Sequence, residues 1–123
     1  MPNILIVDDE PAIRRVLSRL LAAKGYTVRE AGTAAEGLVA LGQGGVDVVL
    51  CDVVMPGGSG FEFFDAAVRQ MPAMATRVIF LTGAAKEPEV QHQCEERHAP
   101  LLSKLYELDL AVDAVTVALL PRS

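Results

Sequence analysis

The sequence predicts an α/β fold in which five strands alternate with five helices around a parallel sheet. Three observations predict it. Short apolar runs alternate with stretches of helical period along the whole chain. The helical stretches carry start or stop signals of their own. The run from Val46 to Cys51 is almost continuously apolar, as expected of a central parallel strand covered on both faces. Alternating strands and helices build a parallel sheet through right-handed crossovers.

The elements follow in order. Residues 4–7, Ile-Leu-Ile-Val, read as a buried strand. Pro11 opens the first helix, because its missing N–H falls where no helical partner exists. Ile13, Val16, Leu17, Leu20 and Leu21 recur at helical spacing, with Arg14, Arg15 and Arg19 off that face. Lys24-Gly25 ends it with a cation and a glycine suited to the left-handed terminus. Tyr26 to Glu30 is the second strand. Thr33 with Glu36 forms a capping box for the second helix, which stops at Gly42, Gly44 and Gly45. After the third strand, Met55 to Gly60 is a loop of proline and glycine. Phe61, Phe64, Ala67 and Val68 form the inner face of the third helix. Val78 to Leu81 is the fourth strand, and Pro88 to about Arg97 a fourth helix with almost no apolar face. Leu101 to Ser103 is the fifth strand, and about Glu107 to Leu120 the fifth helix. That helix has two apolar stripes. Leu108, Val112, Val115 and Leu119 face the sheet; Leu110, Ala114 and Val117 lie on the other side, where a partner or a second copy of the chain is expected.

Composition narrows the function. The chain has 123 residues, 51% hydrophobic, enough for one domain over residues 1–123. A net charge of −5 argues against a basic nucleic-acid surface. No apolar run approaches the ~18 residues of a membrane span, and no basic segment opens a leader after Met1. Cys51 and Cys94 form no disulfide framework and fit a reducing cytoplasm; Cys51, in an apolar strand run, reads as a buried thiol, and Cys94 as structural or incidental. His92 and His98 read as surface residues.

The chemistry is expected at one edge. In open parallel sheets ligands bind beyond the carboxyl ends of the strands. Asp8 and Asp9, Asp52, Thr82 and Lys104 all fall at such ends. Carboxylates at the ends of buried strands are costly without a compensating charge. A divalent cation supplies one, and a metal held by carboxylates points to phosphoryl chemistry.

The ordered set Val7-Asp8-Asp9-Glu10-Pro11, Asp52-Val-Val-Met-Pro56 with Gly60, Leu81-Thr82-Gly83 and Lys104 resembles the response-regulator receiver domain of two-component signalling. The resemblance is of the chemotaxis-receiver type and spans essentially the whole chain. It implies a (βα)5 doubly wound, flavodoxin-like sheet of order 2-1-3-4-5. It further implies that Asp52 is the phosphoacceptor. Mg²⁺ would be held by Asp9 and Asp52, by Asp8 through water, and by the Val54 backbone carbonyl. Mg²⁺ suits a few carboxylates, waters and phosphoryl oxygens in octahedral geometry. Thr82 and Lys104 would answer the phosphoryl group, and Pro56 and Gly60 would shape the edge of the site. Glu10 reads as a helix-start acid complementing the dipole. The implied partners are a histidine kinase or a histidine phosphotransfer protein, with neither nucleic acid nor membrane. The only reactions catalysed would be the chain's own phosphorylation and dephosphorylation.

The chain departs from the family pattern at three places. Leu105 stands where a proline usually follows the lysine, and a cis bond before leucine costs about 2.5–4 kcal/mol, so a trans bond is expected. Leu101 replaces the usual aromatic of the fifth strand, so the standard threonine-aromatic coupling cannot operate as such. Val54 and Ala84 flank the path of the hydrolytic water with side chains that cannot orient it, which predicts slow-to-moderate self-dephosphorylation. With no second patterned segment, output is expected through binding, whether the chain is a stand-alone receiver or one from a hybrid kinase. Two other readings are a degenerate receiver that binds constitutively and an aspartyl-nucleophile phosphatase. The phosphatase requires an Asp-x-Asp pair after the first strand, where this chain has adjacent aspartates.

Overall fold

The computed structural model describes residues 1–120; the last three residues of the predicted 1–123 domain lie outside the described residues. Five parallel strands form the sheet: β1 (Asn3–Val7), β2 (Thr27–Ala31), β3 (Val48–Asp52), β6 (Val78–Thr82) and β7 (Leu101–Ser103). Their spatial order is β2-β1-β3-β6-β7, the predicted 2-1-3-4-5 of the main strands. A two-stranded antiparallel ribbon, β4 (Val54–Met55) with β5 (Gly58–Ser59), fills the predicted proline-glycine loop. The helices are α1 (Pro11–Ala22), α2 (Ala34–Gly42), α3 (Gly60–Gln70), α4 (Pro88–Glu96) and α5 (Leu108–Ala118), with a 3-10 turn at Pro72–Thr76.

Strand side chains alternate between the two faces of the sheet, which divides the core in two. Leu5, Val7, Val49, Cys51 and Phe80 pack towards α2, α3 and α4. Ile4, Ile6, Val48, Leu50, Ile79 and Leu81 pack towards α1 and α5. Every residue of β3 and β6 is buried, so both middle strands are covered on both faces as the apolar runs imply.

Three helix faces differ from the sequence reading. Val16 is 43% exposed, because it lies about 120° around α1 from the midpoint of the buried Leu17 and Leu21. In α3 the innermost residue is Phe63, 1% exposed, whereas Phe61 and Val68 are only half-buried. The helix is wedged between the sheet and α2, so residues on two flanks go inward. Gly37 of α2 permits this approach, since a Cβ there would lie 2.9 Å from both the Phe63 ring and Val7. In α5, Leu110 and Val117 are exposed as predicted, but Ala114 packs partly against the core and Ala111 is fully buried.

Local signals account for the ends. Thr33 Oγ1 accepts from the Glu36 N–H at 3.1 Å. The Glu36 carboxylate reaches the N–H of Gly32 at 3.2 Å, one residue before the cap. Ser59 and Glu62 form the same kind of start for α3, with Ser59 Oγ accepting from the Glu62 N–H at 3.2 Å. Gly25 closes α1 at φ 86°. The short apolar face of α4 is Val90 and Cys94. Its C-terminal end is held to α3 by Arg97, which pairs with Asp65 at 2.9 Å and lies 4.8 Å from the centre of the Phe61 ring. No described peptide bond is cis, so Lys104–Leu105 is trans.

Candidate functional site

Four strand ends and one loop converge on a cleft of about 290 Å³, lined by Asp9, Glu10, Asp52, Val54, Thr82, Gly83, Ala84 and Lys104. β1 and β3 are neighbours in register, which places Asp8 and Asp9 next to Asp52. β6 and β7 lie on the other side and deliver Thr82 and Lys104. All five predicted side chains are therefore at one edge of the sheet.

Lys104 is the centre of the arrangement. Its Nζ lies 2.8 Å from Asp8 Oδ2, 2.8 Å from Asp52 Oδ2 and 2.7 Å from Glu10 Oε1. The Lys104 and Asp8 side chains are 6% and 2% exposed, and Asp52 is equally buried. The side chain of Glu10 is 56% exposed. The backbone steadies the acids: the Glu10 N–H donates to Asp8 Oδ1 at 2.9 Å, and the Val54 N–H donates to Asp52 Oδ1 at 3.2 Å. Arg14 Nη1 donates to the Asp8 carbonyl at 2.6 Å, pinning the end of β1. Asp8 and Asp9 do not cap α1 through their side chains at its N-cap, Glu10.

Burial sets the titration of these groups. It raises Asp52 to about 6, against the opposing hydrogen bond from Lys104. Burial likewise raises Asp8, again partly offset by Lys104. Burial works against the Lys104 charge, but the hydrogen bonds to Asp52, Asp8 and Glu10 more than reverse this and hold the ammonium above its ordinary value. Asp52 is accordingly a carboxylate that ionises below neutral pH, with its charge held by one lysine.

Asp8, Asp9, Glu10 and Asp52 each offer one carboxylate oxygen, and these oxygens lie within 4.8 Å of one another. A set of hard oxygen donors this close, facing a single ammonium, fits a small divalent cation. Val54, whose carbonyl is the further predicted donor, lines the same cleft.

Thr82 is buried, and its Oγ1 accepts from the Ala84 N–H at 3.2 Å. The Lys104 N–H donates to the Thr82 carbonyl at 3.0 Å, so the threonine and the lysine share one strand pairing. Gly60 shapes the edge more directly than its place in a loop suggests. Its N–H donates to the Val53 carbonyl at 2.8 Å, and a Cβ on it would overlap the Asp52 carbonyl oxygen. The sequence reading missed Glu10 as a partner of Lys104. A contact across 94 positions leaves no periodic trace, and a third acid at a helix start has an ordinary local explanation. Leu101 is half-buried against the α4 side of the core, while Tyr106 is 76% exposed with Lys86 Nζ 5.8 Å from its ring centre. Tyr106 therefore does not fill the place of the missing aromatic.

The family model described as response regulator receiver domain matches residues 4–116. The chain is 31% identical over 117 residues to the transcriptional regulatory protein GlrR of Escherichia coli (strain K12), covering 95% of this chain and 26% of that protein. It is 33% identical over 114 residues to the sensor histidine kinase RcsC of the same organism, covering 93% of this chain and 12% of RcsC. Among solved structures, the response regulator TrrA of Thermotoga maritima in complex with Mg²⁺-BeF superposes with a TM-score of 0.83 at 29% identity, covering 96% of this chain and 99% of TrrA. The chain belongs to the response-regulator receiver family, a class that acts in two-component signalling. It spans about a quarter or less of the curated relatives GlrR and RcsC. No helix among the described residues is long and apolar enough to cross a membrane.

Proposed function

We propose that the chain is a phosphorylation-dependent switch of a phosphorelay, with Asp52 as the phosphoacceptor. A histidine kinase or a histidine phosphotransfer protein is the donor, and output is by protein contact. The observation that carries this reading is the setting of Asp52. One of its oxygens is on the Lys104 ammonium at 2.8 Å and the other on the Val54 N–H at 3.2 Å, beside the acidic pair and at the wall of an open cleft.

In the transfer, an Asp52 oxygen forms a bond to phosphorus as the bond from phosphorus to the donor's nitrogen or oxygen breaks. The leaving group takes a proton from solvent where its chemistry requires one. A carboxylate is a weak nucleophile, so positioning and charge neutralisation do most of the catalysis. The Val54 N–H and Lys104 orient the Asp52 carboxylate. Lys104 is also the cation available to a phosphoryl oxygen, and the Thr82 hydroxyl, from a residue lining the same cleft, is the donor that would meet it. Asp8, Asp9 and Asp52, with the Val54 carbonyl, would hold Mg²⁺, which neutralises phosphoryl charge when bound. On this reading the chain promotes only its own phosphorylation and dephosphorylation. The exposed Leu110 and Val117 on α5 are the surface offered to a second copy or an output partner.

The test is incubation with acetyl phosphate and Mg²⁺ followed by intact-mass measurement. One phosphoryl group is expected on the wild-type chain and none on Asp52→Asn. A wild-type chain that stays unmodified would favour a constitutive binding module instead.

A further inference from the structure

An ammonium has three N–H donors, and all three of Lys104's are matched by carboxylates: Asp8, Asp52 and Glu10. No donor is left over for an incoming phosphoryl oxygen, so one partner has to be released. The three are not equivalent. Asp8 and Asp52 are almost fully buried, and in the metal-free, unmodified protein releasing either would leave a buried charge uncompensated, a strongly destabilising state. The side chain of Glu10 is 56% exposed, sits on the wall of the cleft and is hydrated once released, so its pair with Lys104 is worth little. Its backbone is anchored independently, through its N–H on Asp8 and its carbonyl, which accepts from the Arg14 N–H. The side chain can therefore leave without disturbing the start of α1.

We propose that Glu10 is a positioning residue that holds the third donor of Lys104 in the resting protein and yields it to the phosphoryl oxygen during transfer. It stands in for the anion that the site is built to receive. This rests on Asp52 being the acceptor and adds a step to it: the swap of a carboxylate for a phosphoryl oxygen on Lys104. The carboxylate also puts a negative charge at the mouth of a cleft that an anionic donor must enter, so the same residue restrains phosphorylation twice over. No atom of Glu10 bonds to phosphorus, and no proton changes hands in the swap.

Two variants separate the contact from the charge. Glu10→Gln keeps the reach and removes the charge. Glu10→Asp keeps the charge and shortens the reach by one methylene. With acetyl phosphate at saturating Mg²⁺, both are expected to raise the rate of Asp52 modification by about threefold or more, the size of releasing one half-exposed ion pair. Mg²⁺ affinity, measured by calorimetry, is expected to stay within about threefold of wild type. In the metal-free protein, hydrogen exchange of the Lys104 ammonium, read by nitrogen-15 NMR, is expected to be faster in Glu10→Asp than in wild type. A rate that is unchanged or lower in either variant overturns the proposal. A larger loss of Mg²⁺ affinity also overturns it, by making Glu10 a metal ligand. If the wild-type chain accepts no phosphoryl group, the reading of Asp52 has failed. The ammonium exchange then still decides on its own whether Glu10 holds Lys104, and equal exchange in the two proteins refutes the hold.

Discussion

Asp52 carries a stability cost that can be measured without any phosphodonor. Burial raises its carboxyl from 3.8 to about 6 in the folded protein. The folded state therefore binds more protons than the unfolded state between those values, and stability falls as pH rises through that window. A shift of about two units at roughly 1.36 kcal/mol each amounts to about 3 kcal/mol, present in full above pH ~6. Asn at this position is neutral, similar in shape and still able to accept from Lys104. Asp52→Asn is thus expected to stabilise the metal-free protein by about 3 kcal/mol at pH 7.5 and by only about 1 kcal/mol at pH 4.5, where most of the wild-type carboxyl is already protonated. For a domain of this size the larger gain corresponds to a rise of roughly 10 °C in Tm. The assay is urea unfolding or calorimetry in chelator at the two pH values. A variant that is less stable than wild type at pH 7.5 would refute the reasoning. An equal gain at both pH values would too, because the gain would then come from packing and not from the buried charge. Adding Mg²⁺ is expected to narrow the difference at pH 7.5, since a cation that binds the folded wild type stabilises it by mass action.

Gly60→Ala is expected to lower stability by about 2–3 kcal/mol in urea unfolding, because the new Cβ would overlap the Asp52 carbonyl oxygen; a neutral result would mean that α3 can shift freely. The phosphorylated protein is expected to lose its phosphoryl group over minutes or longer, followed by intact mass after the donor is removed. Val54 and Ala84 both line the cleft, and neither has a side chain that could orient water, so a lifetime of seconds would contradict this.

Much of the fold was legible in the residues because its signals are local. The alternation of Val46–Cys51-type runs with helical periods, the Thr33–Glu36 cap and Gly25 each report on a few neighbouring positions. The signal weakened where a helix meets two surfaces. Phe63 falls outside the inner stripe that the pattern of α3 shows, because a single-stripe pattern cannot show that α2 comes within reach at Gly37. Leu101 and Leu105 were legible as departures, but that Leu101 packs half-buried against the core while Tyr106 stays in solvent is visible only in three dimensions.

Strand order along the chain, the acids at strand ends and the lysine that faces them were determined by the sequence itself, since strands of a parallel sheet all end at the same edge. What the tertiary structure alone decided is how those charges are shared. Lys104 could have met one carboxylate or none; packing β1, β3 and β7 into one sheet gave it Asp8, Asp52 and Glu10 at once. The physical reason is that pattern and propensity act over a few residues, whereas a salt bridge between positions 10 and 104 exists only after the chain has folded and expelled water from three of the four charges that meet there.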